Sequence, residues 1–139
     1  MSYEEKGTWA YLVTSVAVWV GYVAVVLTRA DGRPVHEVAF VAPLLWAVGI
    51  SVLATVVGRV AAEIVRPSES HQADVRDRDV ARFGGYVGGL VLSVLVAGVL
   101  ALVLLEAERF WIANAIYLAF VVQAAVSSAV RLVAYRRGL

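Results

Sequence analysis

The densest set of charged side chains in the 139-residue chain is Ala73-Asp-Val-Arg-Asp-Arg-Asp-Val-Ala-Arg-Phe-Gly-Gly85. Asp74, Arg76, Asp77, Arg78, Asp79 and Arg82 alternate in sign within it. If the segment is helical, Asp74–Arg78 is an i,i+4 pair and Asp79–Arg82 an i,i+3 pair, each worth ~0.2–0.5 kcal/mol. Such a surface suits the docking of a partner protein, or a lid over a cavity. The plain alternative is a solvated stretch ahead of a helix, with Arg82 anchored at lipid headgroups.

Polar groups inside apolar stretches form a second set. Thr14, Ser51, Thr55, Asn114, Gln123 and Ser127 are candidates for a polar pocket or pathway. Gln123 and Ser127 are four apart and share a helix face. The alternative is interhelical hydrogen bonding, worth ~0.6 kcal/mol per bond on average. Arg59 and Glu63, again four apart, read as a structural anchor in which Arg snorkels. His36, Glu37, Glu106 and Glu108 would hold a divalent cation if two short loops met, but their spacing diagnoses no metal site. Trp19 and Trp46 sit near the middle of apolar runs, unlike Trp9 and Trp111 at their edges. A central Trp is expected between helices. The alternative is the wall of a site for a flat apolar molecule.

Reactive signatures are lacking. The chain has no cysteine, which excludes disulfides and thiolate chemistry. It has no phosphate-binding Gly loop, no His-rich cluster and no nucleophile elbow. No catalytic, cofactor-binding or metal residue is assigned from the sequence, and no enzyme activity is expected.

The elements that position these groups are set by composition. The chain is 61% apolar and 17% charged, with mean hydropathy +0.80. A soluble domain of this size needs more polar surface than that. Its net charge of +1 gives no general attraction to nucleic acid. The Arg-for-Lys bias and abundant Val, Ala, Gly and Leu suggest a GC-rich bacterial source.

A membrane helix needs ~20 mostly apolar residues. Four runs qualify: 9–27, 38–58, 83–105 and 110–130, all free of Asp, Glu, Lys and Arg. The first follows Glu4, Glu5 and Lys6 and is too long for a signal peptide, so a retained helix is expected. The connections are a short loop at 28–37, a long one at 59–82 and a tight turn at 106–109. The turn makes the last two helices an antiparallel hairpin. Nine basic residues fall on the side of the termini and the long connection, against three on the other side (Arg29, Arg33 and Arg109). The positive-inside rule therefore places both termini and the connection 59–82 in the cytoplasm. The expected fold is all-α: one polytopic membrane domain of four transmembrane helices in an antiparallel bundle. The expected location is the cell (inner) membrane.

The halves show a weak internal match. Thr55-Val-Val-Gly-Arg59-Val-Ala-Ala lies beside Ser127-Ser-Ala-Val-Arg131-Leu-Val-Ala. Parallel repeats of this kind occur in membrane proteins. Chance matching of small apolar residues is the alternative.

Asp74-x-Arg76-Asp77-Arg78, followed by Gly84 in a Gly-rich membrane helix, resembles a family of small, uncharacterised prokaryotic four-helix membrane proteins. Val75 stands where that family has Glu. Glu108-Arg-Phe-Trp-Ile-Ala-Asn-Ala-Ile-Tyr117 resembles the start of its last helix. The resemblance covers about the second half of the chain. It implies a four-helix membrane fold and no assigned activity.

In the third run small residues recur every fourth position, at Gly85, Gly89, Ser93, Ala97 and Ala101, with Gly84 and Gly88 alongside. In lipid, helices associate through the close backbone approach that Gly, Ala and Ser permit. Four residues turn ~400°, so the stripe drifts ~160° over its length and cannot face one straight neighbour. Gly85 and Gly89 are expected to pack on one helix in a crossing of about −40°. Ala97 and Ala101 are expected against another helix or a second subunit.

These features predict a non-catalytic membrane protein acting through helix packing and a partner, as a regulatory, accessory or immunity-type subunit. The alternative is a small oligomeric transporter or channel. No acidic residue lies deep in a run, which disfavours a proton-coupled carboxylate pump. Expected partners are the lipid bilayer, a second copy, or another membrane or cytoplasmic protein. No cofactor and no nucleic acid are expected.

Overall fold

The computed structural model describes residues 3–65 and 75–137, and they are all-helical. Helix α1 covers Tyr3–Ala30, α2 Val41–Val65, α3 Val75–Leu104 and α4 Arg109–Arg137, with a 3-10 turn at Val35–Glu37. All four are long and apolar enough to cross a membrane. The shortest, α2, has 25 residues. At 1.5 Å per residue it rises ~37 Å, against a hydrocarbon core of ~30 Å.

The helices overrun most edges of the apolar runs, because Glu, Lys and Arg are good helix formers and extend the hydrogen-bonded ladder. Residues 59–65 and 75–82, expected in the long connection, are helical. Asp74 and its expected pairing with Arg78 lie outside the described residues.

Left-handed residues set the two short connections. Asp31 (φ 45°) and Gly32 (φ 78°) reverse the chain after α1. Arg33 N–H closes that turn on Ala30 O at 2.8 Å. At the end of α3, Glu106 takes φ 54°. Glu106 N–H donates to Val103 O and Ala107 N–H to Leu102 O, both at 3.0 Å. This is a Schellman ending with glutamate in the place usually held by glycine. Arg33 Nη2 donates to Arg29 O at 3.1 Å, and Arg29 Nη1 to Ala39 O at 3.3 Å. Arg33 thus satisfies a carbonyl at the negative end of α1, and Arg29 ties that end to the residues leading into α2.

Helix α1 packs on α2 and on α4, and α3 packs on α4. The described parts of α2 and α3 form no comparable seam, so these two helices are the margins of the row. Tyr22, Val26, Ala47 and Phe110 form the buried core, with Phe40 and Tyr117 against it. Tyr22 meets Tyr117 edge-on at 5.4 Å, and Phe40 meets Phe110 edge-on at 5.2 Å. Edge-to-face contact suits the ring quadrupoles.

The small-residue stripe is turned differently from expectation. Nothing lies within 4 Å of a Cβ built at Gly85 or Gly89, and Ser93, Ala97 and Ala101 are exposed. Within the chain, Gly84 and Gly88 meet α4 instead. Adjacent residues differ by ~100° around a helix. The side chains of Ser127 and Arg131 occupy the space over Gly84 and Gly88. Ser93 Oγ donates to Gly89 O at 2.9 Å, which satisfies its hydroxyl inside its own helix. Trp46 also departs from expectation: it is 72% exposed and not packed between helices. Trp19 borders an apolar groove between α1 and α4.

Candidate functional site

Helix α4 presents Gln123, Ser127 and Arg131 at four-residue spacing, on successive turns of one side. Helix α2 presents Thr55 and Arg59 at the same spacing, and α1 contributes Thr8 and Tyr11. With Ser128 they line a partly open cavity of about 300 Å³ at the end of the fold where α1 begins and α2 and α4 finish. Ser127 is buried, and Ser128, only 2% exposed, is the largest fully buried side chain of the described residues.

Glycines seat the two arginines. A Cβ at Gly7 of α1 would lie 2.7 Å from Arg59 Nε. A Cβ at Gly84 of α3 would collide with Arg131 and come within 3.0 Å of Ser127 O. At Gly88 it would be 2.9 Å from Ser127 Cβ. Each guanidinium stem thus lies across a glycine of a neighbouring helix, which no larger residue permits without a shift.

Arg131 Nε is buried without a hydrogen-bond partner. Among the described residues no carboxylate lines the cavity. The nearby Glu63 is paired with Lys6 at 3.8 Å, a mostly buried link between α2 and α1. The described lining is rich in hydrogen-bond donors and holds neither a carboxylate nor an imidazole.

Of the six residues expected in a polar pocket, Thr55, Gln123 and Ser127 come together here. Ser51 lies one turn away and accepts at its carbonyl from Thr55 Oγ1 at 2.7 Å. Asn114 is elsewhere: its Oδ1 accepts from Tyr22 at 2.7 Å, and its Nδ2 donates to Phe110 O at 2.8 Å. Thr14 does not line the cavity. The sequence reading missed Thr8, Tyr11, Ser128 and Arg131, and took Arg59 for an anchor. A signal was present in the internal match, whose aligned pairs Thr55/Ser127 and Arg59/Arg131 all line this cavity.

The expected docking residues divide. Arg76 Nη2 donates to Tyr135 O at 2.9 Å, tying the start of α3 to the end of α4. Arg78, Asp79 and Arg82 are exposed and Asp77 is half-buried, all on the first turns of α3. At the other end the short loops do meet, with His36 Nε2 and Glu108 Oε2 3.7 Å apart. No group of three or more potential metal ligands occurs among the described residues.

Comparison with protein-family models, with curated proteins and with solved structures finds no match to this chain.

Proposed function

We propose that the chain is a non-catalytic integral membrane protein that acts by associating with a partner, as a regulatory, accessory or immunity-type subunit. Its four helices cross the inner membrane antiparallel, with both termini in the cytoplasm. The positive-inside distribution supports that orientation, and the resemblance around Asp74–Gly84 supports the four-helix class. The observation that carries the reading is the outward stripe of α3. Gly84 and Gly88 are used inside the chain, whereas Gly85 and Gly89 keep open space above them. In lipid, a line of small residues is what permits a second helix to approach closely.

The test compares two neighbouring positions. Gly89→Leu should dissociate a crosslinkable assembly in membranes while the purified chain keeps its melting temperature. Gly88→Leu should lower the melting temperature itself. Leu90→Ile should do neither. An assembly indifferent to Gly89→Leu would sink the reading.

A small oligomeric transporter is the second reading, and the polar cavity among α1, α2 and α4 is what favours it. Solute flux through reconstituted liposomes, lost on Arg131→Gln, would select it.

A further inference from the structure

We propose that the two-arginine cavity binds the phosphate group of an anionic ligand at the cytoplasmic edge of the membrane. Arg131 lies eleven residues from the middle of the apolar run 110–130, and Arg59 eleven from the middle of 38–58. At 1.5 Å per residue both sit ~16 Å from the bilayer centre, where hydrocarbon gives way to headgroups. Guanidinium groups stay charged at every physiological pH. A partly desolvated cation requires an anion or further hydrogen bonds. Among the described residues Arg131 Nε has no hydrogen-bond partner. No carboxylate among the described residues lines the cavity.

The donors specify the shape of the missing group. The Arg131 guanidinium is joined by Ser127, Ser128 and Gln123, and Arg59, itself partnered within the fold, adds positive charge to the wall. A tetrahedral oxyanion presents acceptors in several directions and matches such a set, and guanidinium forks pair with phosphate bidentately. A carboxylate offers only two oxygens, and a halide has no directional demand. The site is built into the backbone, because Gly7 and Gly84 alone leave room for the arginine side chains. Both halves of the chain contribute a hydroxyl residue and an arginine four positions later. The volume, about 300 Å³, falls at the small end of the ~300–1,000 Å³ range of ligand pockets. A free phosphate or a lipid headgroup phosphate would meet the same groups, and basic pockets between membrane helices do hold anionic headgroups.

The full chain in detergent would be melted with inorganic phosphate, acetate or chloride at matched ionic strength. In parallel, lipid retained from nanodiscs of phosphatidylglycerol or phosphatidylcholine would be counted by native mass spectrometry. Protection by phosphate alone identifies a soluble ligand. Selective retention of phosphatidylglycerol without such protection identifies a headgroup. In either case Arg131→Gln should weaken binding about tenfold or more, the loss expected for a charge-assisted hydrogen bond. Arg136→Gln, which removes an equal charge from an exposed position, should weaken it by no more than about fivefold. Arg131→Lys should fall between. If Arg131→Gln does not fold, Ser128→Ala, which removes one buried hydroxyl, should still reduce phosphate or lipid affinity. Equal protection by acetate or chloride, or equal effects at Arg131 and Arg136, would overturn the proposal. The detergent arm does not depend on membrane orientation or on α3 association, so failure of the site and failure of the functional reading are separable.

Discussion

At Gly84 and Gly85 a single residue step separates a packed position from an open one. Gly84→Ala should destabilise the chain by ~1–3 kcal/mol, because the new methyl meets Arg131 and the Ser127 carbonyl. Gly85→Ala should be neutral or stabilising by up to about 1 kcal/mol, since alanine favours the helix and nothing opposes it. Thermal unfolding of both variants in one detergent checks the pair, and a reversed order would contradict the packing. The sequence showed that small residues in this helix matter for close approach. It did not show which of two interleaved rows is inside, because Gly84/Gly88 and Gly85/Gly89 have the same spacing. The side chains of another helix decide that. The same limit hid Arg131, which only the fold brings opposite Arg59 and the buried serines.

Helices were legible as apolar runs because each run reaches the length that a bilayer crossing requires. Their ends were not, because charged helix formers continue the ladder past the apolar edge. The ending of α3 shows how far local sequence is overridden: glutamate holds a left-handed position that favours glycine. Glu106→Gly should therefore stabilise the fold by about 0.5–1 kcal/mol. A lower melting temperature would mean that the carboxylate contributes more than its backbone strain costs. The start of α3 carries a different prediction. Asp77→Lys together with Asp79→Lys should abolish co-purification of a cytoplasmic partner, leave the melting temperature within about 1 kcal/mol of the parent in stability, and leave the topology unchanged. Unchanged co-purification would mark the segment as merely solvated. Arg76 is a poor choice for that test, because its bond to Tyr135 O belongs to the fold.

At the scale of the whole molecule, the order of helices across the fold was beyond the sequence. Nothing in four similar apolar runs says that α1 and α4 share a seam or that α2 and α3 are margins. The charge distribution supports the proposed orientation. A reporter active only outside the cytoplasm should be silent after Leu139 and active when inserted at Gly32. An active fusion at Leu139 would reverse the assignment.

The two ends of this molecule are built oppositely. The arginine cavity occupies one end, and toward the other the helices close on the rings of Tyr22, Phe40, Phe110 and Tyr117, with Asn114 locked between Tyr22 and the backbone. That second end is tied by a 2.7 Å hydrogen bond and two edge-on ring contacts. Placed in a bilayer, such a bundle would offer its polar groups to one leaflet and its aromatic seam to the other.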